Sequence, residues 1–177
     1  MEVFLDHYRS QGITEIYNKQ HPIRRKLICP VEEPWDVLVK KWLEREYPSH
    51  NSILIRSEIY TEKGEQVRSK SEKIIADTLN RLQIPYRYEY PLTLKNGKII
   101  YPDFTALHIR EKKEIYFEHF GRMDDPSYSE KNVMKRIEDY ERNGLWIGTD
   151  IIFTMESLEN PLDTKLLENM LTHFFLS

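Results

Sequence analysis

With 177 residues, 40% of them apolar, the chain can close one hydrophobic core and has no material for two large ones. A formal charge of −3 and a pI near 6.1 exclude bulk attraction to polyanions, so any nucleic-acid contact must come from a local basic patch. The one cysteine, Cys29, excludes an internal disulfide framework and a cysteine-based zinc site. No apolar stretch approaches the ~20 residues of a membrane span, and the opening MEVFLDHYRS has no basic segment leading into an apolar one. The expectation is a soluble, cytoplasmic protein.

Residues 1–17 are expected to be helical. HPIRRKLICPVEEP, with three prolines and a basic triplet, reads as an irregular connection. Pro34 then opens a helix over 34–47 with Trp35, Leu38, Trp42 and Leu43 on one face, stopped by Pro48. SILIRSEIYT is a short strand or a buried connector. Ile74, Ile75, Leu79 and Leu82 recur at helical spacing, which predicts a helix over 70–83 closed by Pro85. YRYEYPLTL alternates as a strand, Asn96-Gly97 is a two-residue hairpin turn, KIIYPDFTALHI returns, and REKKE turns the chain into the strand EIYFEHF. Val133, Met134, Ile137 and Tyr140 then line one face of a helix ended by Asn143-Gly144. DIIFTME is a strand, and PLDTKLLENMLTHFF is a last amphipathic helix. The order from residue 70 is α-β-β-β-α-β-α, an α+β arrangement with a mixed sheet between helices. Residues 1–55 form an N-terminal helical extension and 56–177 the domain that carries the chemistry. Trp35 and Trp42 pack on that domain or meet a companion protein or a second copy.

Two acids interrupt the apolar runs. Asp103 shares a strand face with Tyr101 and Thr105, and Glu118 shares one with Tyr116 and Phe120. Pairing about the REKKE turn brings the two carboxylates together, and adjacent buried acids repel unless a cation compensates them. Magnesium, which takes oxygen ligands and keeps waters, suits such a pair. Glu72 is a third acid: Ser69-Lys70-Ser71-Glu72 is a capping box, so Glu72 either caps its helix or faces the other two. The cations Arg68, Lys70 and Lys73 either grip a phosphate backbone or form a solvated helix end. Tyr86, Tyr88 and Tyr90 either pack or stack on unpaired bases.

Taken in order, GEQVRSKSEKIIADTL, YPDF, FEHFG and KRIEDYERNG resemble the bacterial branch of the PD-(D/E)XK nuclease superfamily over residues 56–157. The resemblance implies a restriction-endonuclease-like αβββαβ core and Mg²⁺-dependent hydrolysis of phosphodiesters, with Mn²⁺ as a substitute and DNA ahead of RNA as the substrate. It implies metal ligation by Asp103, Glu118 and the carbonyl of His119, with Glu72 assisting. The family lysine falls at Phe120, so a cation must come from elsewhere. The matching pair on the following helix is Arg136 and Tyr140, with Arg136 at the margin of the apolar stripe, Lys135 opposite it and Lys131 between. Arg136 stays protonated and serves phosphate charge rather than proton transfer. The missing lysine leaves a second possibility, a catalytically inactive module that binds DNA or a partner protein.

Overall fold

The computed structural model describes residues 15–27, 34–47, 57–128 and 132–176. The chain divides into two compact units, residues 1–45 and 46–177. Among the described residues no helix is long and apolar enough to cross a membrane.

In the first unit, residues 15–18 are helical, and most of the helix expected over 1–17 lies outside the described residues. Within the proline-rich connection, the described residues 21–27 hold a helical turn where an irregular connection is expected. Pro22–Arg25 form one helical turn, α1, because Pro22 supplies a helix-ready φ and His21 Nδ1 accepts from the Ile23 amide. Helix α2, Trp35–Leu43, follows Pro34 at its N-cap as expected and ends at Leu43, four residues short of the expected 47. Trp42 is buried, Trp35 and Leu38 are half-buried, and Leu43 is exposed, so Leu43 does not belong to the packed face.

The second unit opens with a small antiparallel ribbon, β1 (Ile59–Tyr60) and β2 (Gln66–Val67). Helix α3, Lys70–Arg81, follows directly. Ser69 Oγ accepts from the Glu72 amide at 3.0 Å, and Ile75, Ala76 and Leu79, at i, i+1 and i+4, form the buried face.

The meander is present but broken in two places. YRYEYPLTL gives β3 (Tyr86–Tyr88) and β4 (Leu92–Thr93), separated at Glu89, whose φ of 47° leaves extended backbone, and at Pro91. KIIYPDFTALHI gives β5 (Ile99–Ile100) and β6 (Phe104–His108), separated at Pro102, which has no N–H to donate to a ladder. Strands β4 and β5 pair as a separate hairpin through Lys95, Asn96 and Gly97, a loop one residue longer than the two-residue turn expected, with Gly97 at a positive φ of 81°. Strand β7, Lys113–Phe120, follows the turn after β6. After a helical turn, α4 (Pro126–Tyr128), come α5 (Met134–Arg142), β8 (Ile151–Met155) and α6 (Thr164–Leu176).

The central sheet among the described residues has the order β3-β6-β7-β8. The pairs β3–β6 and β6–β7 are antiparallel and β7–β8 is parallel, so the sheet is mixed, as an α+β fold predicts. On one face Phe104, Ala106, Ile115, Phe117 and Ile152 pack with Ile75 and Leu79 of α3 and Leu167, Leu171 and Phe175 of α6. On the other, Tyr116 and Ile151 pack with Tyr140 of α5 and with Leu94 and Ile100 from the hairpin. Helices thus flank both faces, and the alternation along β7 sends odd-numbered side chains to α3 and α6 and even-numbered ones to α5.

Met134 corrects the expected apolar stripe of α5, since it is 56% exposed. Buried Val133, half-buried Ile137 and buried Tyr140, at i, i+4 and i+7, form the packed line, and Met134 lies ~100° round the helix from Val133.

Candidate functional site

The break at Pro102 puts Asp103 at the mouth of β6 rather than inside a strand. There its carbonyl accepts from the Glu89 amide at 3.0 Å and its Oδ2 from the His119 amide at 2.7 Å. Phe104 pairs with Phe117, so continuing the register by one residue sets Asp103 across from Glu118, on the face with Thr105 and Tyr116. That is the face covered by α5, and α5 reaches back to the acid. Tyr140 donates its hydroxyl to Glu118 Oε1, and Arg136 Nε lies 3.3 Å from the same oxygen. Arg136 also donates to the Tyr101 carbonyl at 3.4 Å, which ties α5 to the segment just before Asp103. Tyr140 is fixed by stacking on Tyr116, with ring centroids 6.4 Å apart.

The electrostatics follow from this crowding. Burial pushes the Asp103 carboxyl well above the usual range, the negative charges of Glu118 and Glu72 push it further, and the His119 N–H and Arg136 oppose them. Glu118, only 3% exposed, is also pushed up by burial, against the pull of Arg136 and the Tyr140 hydroxyl. Burial works against the Arg136 charge, but Glu118, Tyr140, Asp103 and Asp139 together raise its pKa above the ordinary guanidinium value. The Tyr140 phenol is raised by burial and by the facing carboxylate, so at neutral pH it is a donor. Tyr140→Phe keeps the ring and leaves Glu118 short of one donor. It is expected to cost about 1–3 kcal/mol, seen as a lower thermal midpoint. An unchanged midpoint would show that the hydroxyl contributes no stability.

Glu72 lies close enough for its charge to act on Asp103, but its Oε2 is engaged at the start of α3, accepting from the Arg68 amide at 2.9 Å and the Tyr88 hydroxyl at 2.7 Å. The basic group around it is also engaged: Arg68 lies 2.9 Å from Glu89, and Lys73 lies 2.7 Å from Asp77. The tyrosines pack. Tyr86 and Tyr88 stand against Phe104, and Tyr90, beyond the end of β3, meets Tyr47 edge to face with Arg87 over its ring. Phe120, in the lysine position, is buried against Phe153 and brings no cation.

A cleft of about 380 Å³ opens over Asp103, with Arg68, Arg136, Lys98 and Lys135 on its walls. Lys98 is paired with Asp139, and Lys135 is exposed. Lys131 lies outside the described residues.

His119 points through the sheet to the opposite face. Its ring is buried, with Nδ1 2.9 Å from Thr154 Oγ1 and Nε2 3.2 Å from Glu156 Oε1. Glu156 in turn accepts from Ser71 Oγ at 2.7 Å. Burial works upward on the Glu156 carboxyl, but the Ser71 hydroxyl, His119 and the Leu162 amide hold it below the usual range. Glu89 and Glu156 were not evident from sequence. Each sits at the end of an alternating run, where a polar residue is ordinary, and each meets partners distant in the chain.

The donor set accommodates a hard cation. Among the described residues Asp103 Oδ1 and Glu118 Oε2 accept no hydrogen bond, and the ladder geometry that aims the His119 amide at Asp103 directs its carbonyl to the same side. No group of three or more His, Cys, Asp or Glu among the described residues makes a complete cage. An ion here must therefore complete its shell with waters and a main-chain oxygen, which suits magnesium and does not suit zinc.

No protein-family model matches the chain. The chain is 33% identical over 115 residues to MJ1519, an uncharacterized protein of Methanocaldococcus jannaschii. The match takes in 64% of this chain and 9% of that protein, so the chain spans under a tenth of its relative's length. A chain of the DrdV–DNA complex, solved by cryo-electron microscopy, superposes on 80% of this chain and 14% of its own length, with 17% identity and a TM-score of 0.39.

Proposed function

We propose that this chain is a metal-dependent nuclease that hydrolyses phosphodiester bonds, with DNA as the first substrate to test. The observation that carries the reading is the pair Asp103 and Glu118, set across from one another by the register of β6 and β7, with Asp103 at the foot of a cleft whose walls carry Arg68, Lys98, Lys135 and Arg136 beside the acids Glu89 and Asp139. Adjacent carboxylates repel and draw a cation, and the cationic side chains on the cleft wall beside Asp103 suit a polyanion.

In this reading the Asp103 and Glu118 carboxylates and the His119 carbonyl would hold a magnesium ion. A magnesium bound there would polarise a phosphate and make a bound water acidic enough to attack at neutral pH. Arg136 does two jobs. It holds Glu118 in place, and from the cleft wall it offers its remaining N–H groups to a phosphate oxygen. Because it stays protonated it stabilises charge and takes no proton. Tyr140 acts as a donor that fixes Glu118. Glu72 acts through its charge on Asp103 and by fixing the start of α3, not as a ligand. Lys135 and Arg68 position the sugar-phosphate chain.

One observation favours a second reading, a nuclease fold that binds nucleic acid without cutting it. Glu118 already has Arg136 as a counter-charge and the Tyr140 hydroxyl as a donor, and Phe120 supplies no lysine. The two readings separate in a cleavage assay on single- and double-stranded DNA and on RNA, with Mg²⁺, Mn²⁺ or EDTA. The nuclease reading expects cleavage with either metal and none with EDTA. Binding with no metal-dependent product would favour the second.

A further inference from the structure

The side chains of His119, Glu156, Thr154 and Ser71 lie on the sheet face away from the cleft. They touch none of the groups proposed to act on a phosphate, yet they are polar and gathered together, His119 and Ser71 buried and Thr154 and Glu156 half-buried. The same residue, His119, gives its main-chain N–H to Asp103.

We infer that this far-face cluster is a clamp that positions Asp103 through the His119 backbone. The His119 ring meets two side chains from the end of β8. Thr154, near the end of β8, holds Nδ1, and Glu156, just beyond it, lies against Nε2. The clamp is itself anchored. The Glu156 amide donates to the Phe120 carbonyl at 3.0 Å and its carbonyl accepts from the Met123 amide, so the chain after β7 is tied to the chain after β8 on both sides of Gly121. Ser71 links Glu156 to the first turn of α3, one residue from Glu72. Gly121 leaves the space for this contact, since a Cβ there would sit 3.3 Å from Glu156 Oε1 and 3.5 Å from His119 Nε2.

The physical logic is that Asp103 stands at a strand mouth beyond the last ladder pair, where a carboxylate under repulsion from Glu118 has every reason to swing away. The His119 amide is the donor that opposes this, and its aim is only as firm as the backbone at 119. A ring locked on the opposite face removes the rotation of that peptide that would release Asp103. Ser71 extends the same lock to α3, so the helix bearing Glu72 and the strand bearing Glu118 keep one spacing. Thr154 and Glu156 are positioning residues for the proposed site, and the inference rests on the nuclease reading only for the use to which Asp103 is put.

The test is hydrogen exchange and amide chemical shift at His119 in Thr154→Val, Glu156→Ala and Glu156→Gln, with Mn²⁺ affinity measured alongside. Thr154→Val is nearly isosteric and keeps the fold within reach if Glu156→Ala does not. In both of these variants the His119 amide is expected to exchange about tenfold faster, while Ile115 and Phe117 in the same strand keep their protection. Mn²⁺ affinity is expected to fall about tenfold, the usual scale for loss of a supporting partner. Glu156→Gln, which still accepts from Ser71, is expected to restore most of both. An unchanged His119 amide in Thr154→Val and in any folded Glu156→Ala overturns the inference, even if the wild type cuts DNA. A loosened His119 amide in a protein that neither binds Mn²⁺ nor cuts would uphold the clamp and remove the nuclease reading.

Discussion

Asp103→Ala and Glu118→Ala are each expected to reduce Mg²⁺-dependent cleavage by roughly 10³-fold or more, because charge stabilisation by a held cation is worth several kcal/mol and each ~1.4 kcal/mol is tenfold in rate. The two losses should not multiply. The acids act as one unit on one ion, so the double variant should be little slower than either single one. Folding should survive in both. Asp103 lies outside the β6–β7 ladder, and its removal takes one acceptor from the His119 amide. Glu118→Ala is the harsher change, since it strands Arg136 and the Tyr140 hydroxyl, so far-UV circular dichroism should accompany the assay. Glu118→Gln keeps an acceptor for both and should be equally inactive with less loss of stability. Wild-type rates in either alanine variant would remove both residues from the chemistry.

The second large effect concerns stability and runs opposite to activity. Asp103 and Glu118 have carboxyl pKa values raised by burial in the folded chain, and Asp103 is raised further by the charge of Glu118. Between the unfolded values, about 3.9 for Asp and 4.3 for Glu, and the raised folded values, the folded state holds more protons than the unfolded one. Stability of the metal-free protein therefore falls as pH rises through that window, by at most about 1.4 kcal/mol per pH unit for each retained proton. Asp103→Asn removes one of these groups while keeping an acceptor for the His119 amide. It should melt above the wild type at pH 8 without metal, by ~2–4 °C per kcal/mol recovered, and lose that advantage near pH 4. The difference between variant and wild type cancels the groups that shift the other way, Asp150 and Glu156. Adding Mn²⁺ at pH 8 should stabilise the wild type and leave Asp103→Asn unmoved. Parallel pH curves for the two proteins would mean that Asp103 is not under strain.

Much of this arrangement could be read from residue order. The capping serine at 69, the hairpin at Asn96-Gly97 and the parity of β7 are local signals, and each gave the right element because nothing tertiary opposed it. The relation of Asp103 to Glu118 was also legible, since a short turn between antiparallel strands leaves few registers. So was the contrast between Arg136, turned to Glu118, and Lys135, exposed.

What failed was continuity. Two runs read as single strands each change partner midway, at Glu89 to Pro91 and at Tyr101 to Asp103, because β4 and β5 leave the main sheet to pair with each other. The prolines marked the breaks, but the apolar alternation continued across them and concealed the change. Met134 failed for a different reason, since a four-residue apolar pattern cannot fix the angle at which a helix meets a sheet. The contact of Ser71 with Glu156, 85 residues apart, has no local signature at all.

In the nuclease reading Asp103 and Glu118 together hold one divalent cation. Mn²⁺ is titrated into wild type, Asp103→Asn and Glu118→Gln and followed by the loss of the free-ion electron paramagnetic resonance signal. One ion is expected to bind per wild-type chain, with affinity at least about tenfold weaker in each variant. Equal binding by all three proteins, or none by the wild type, would contradict it.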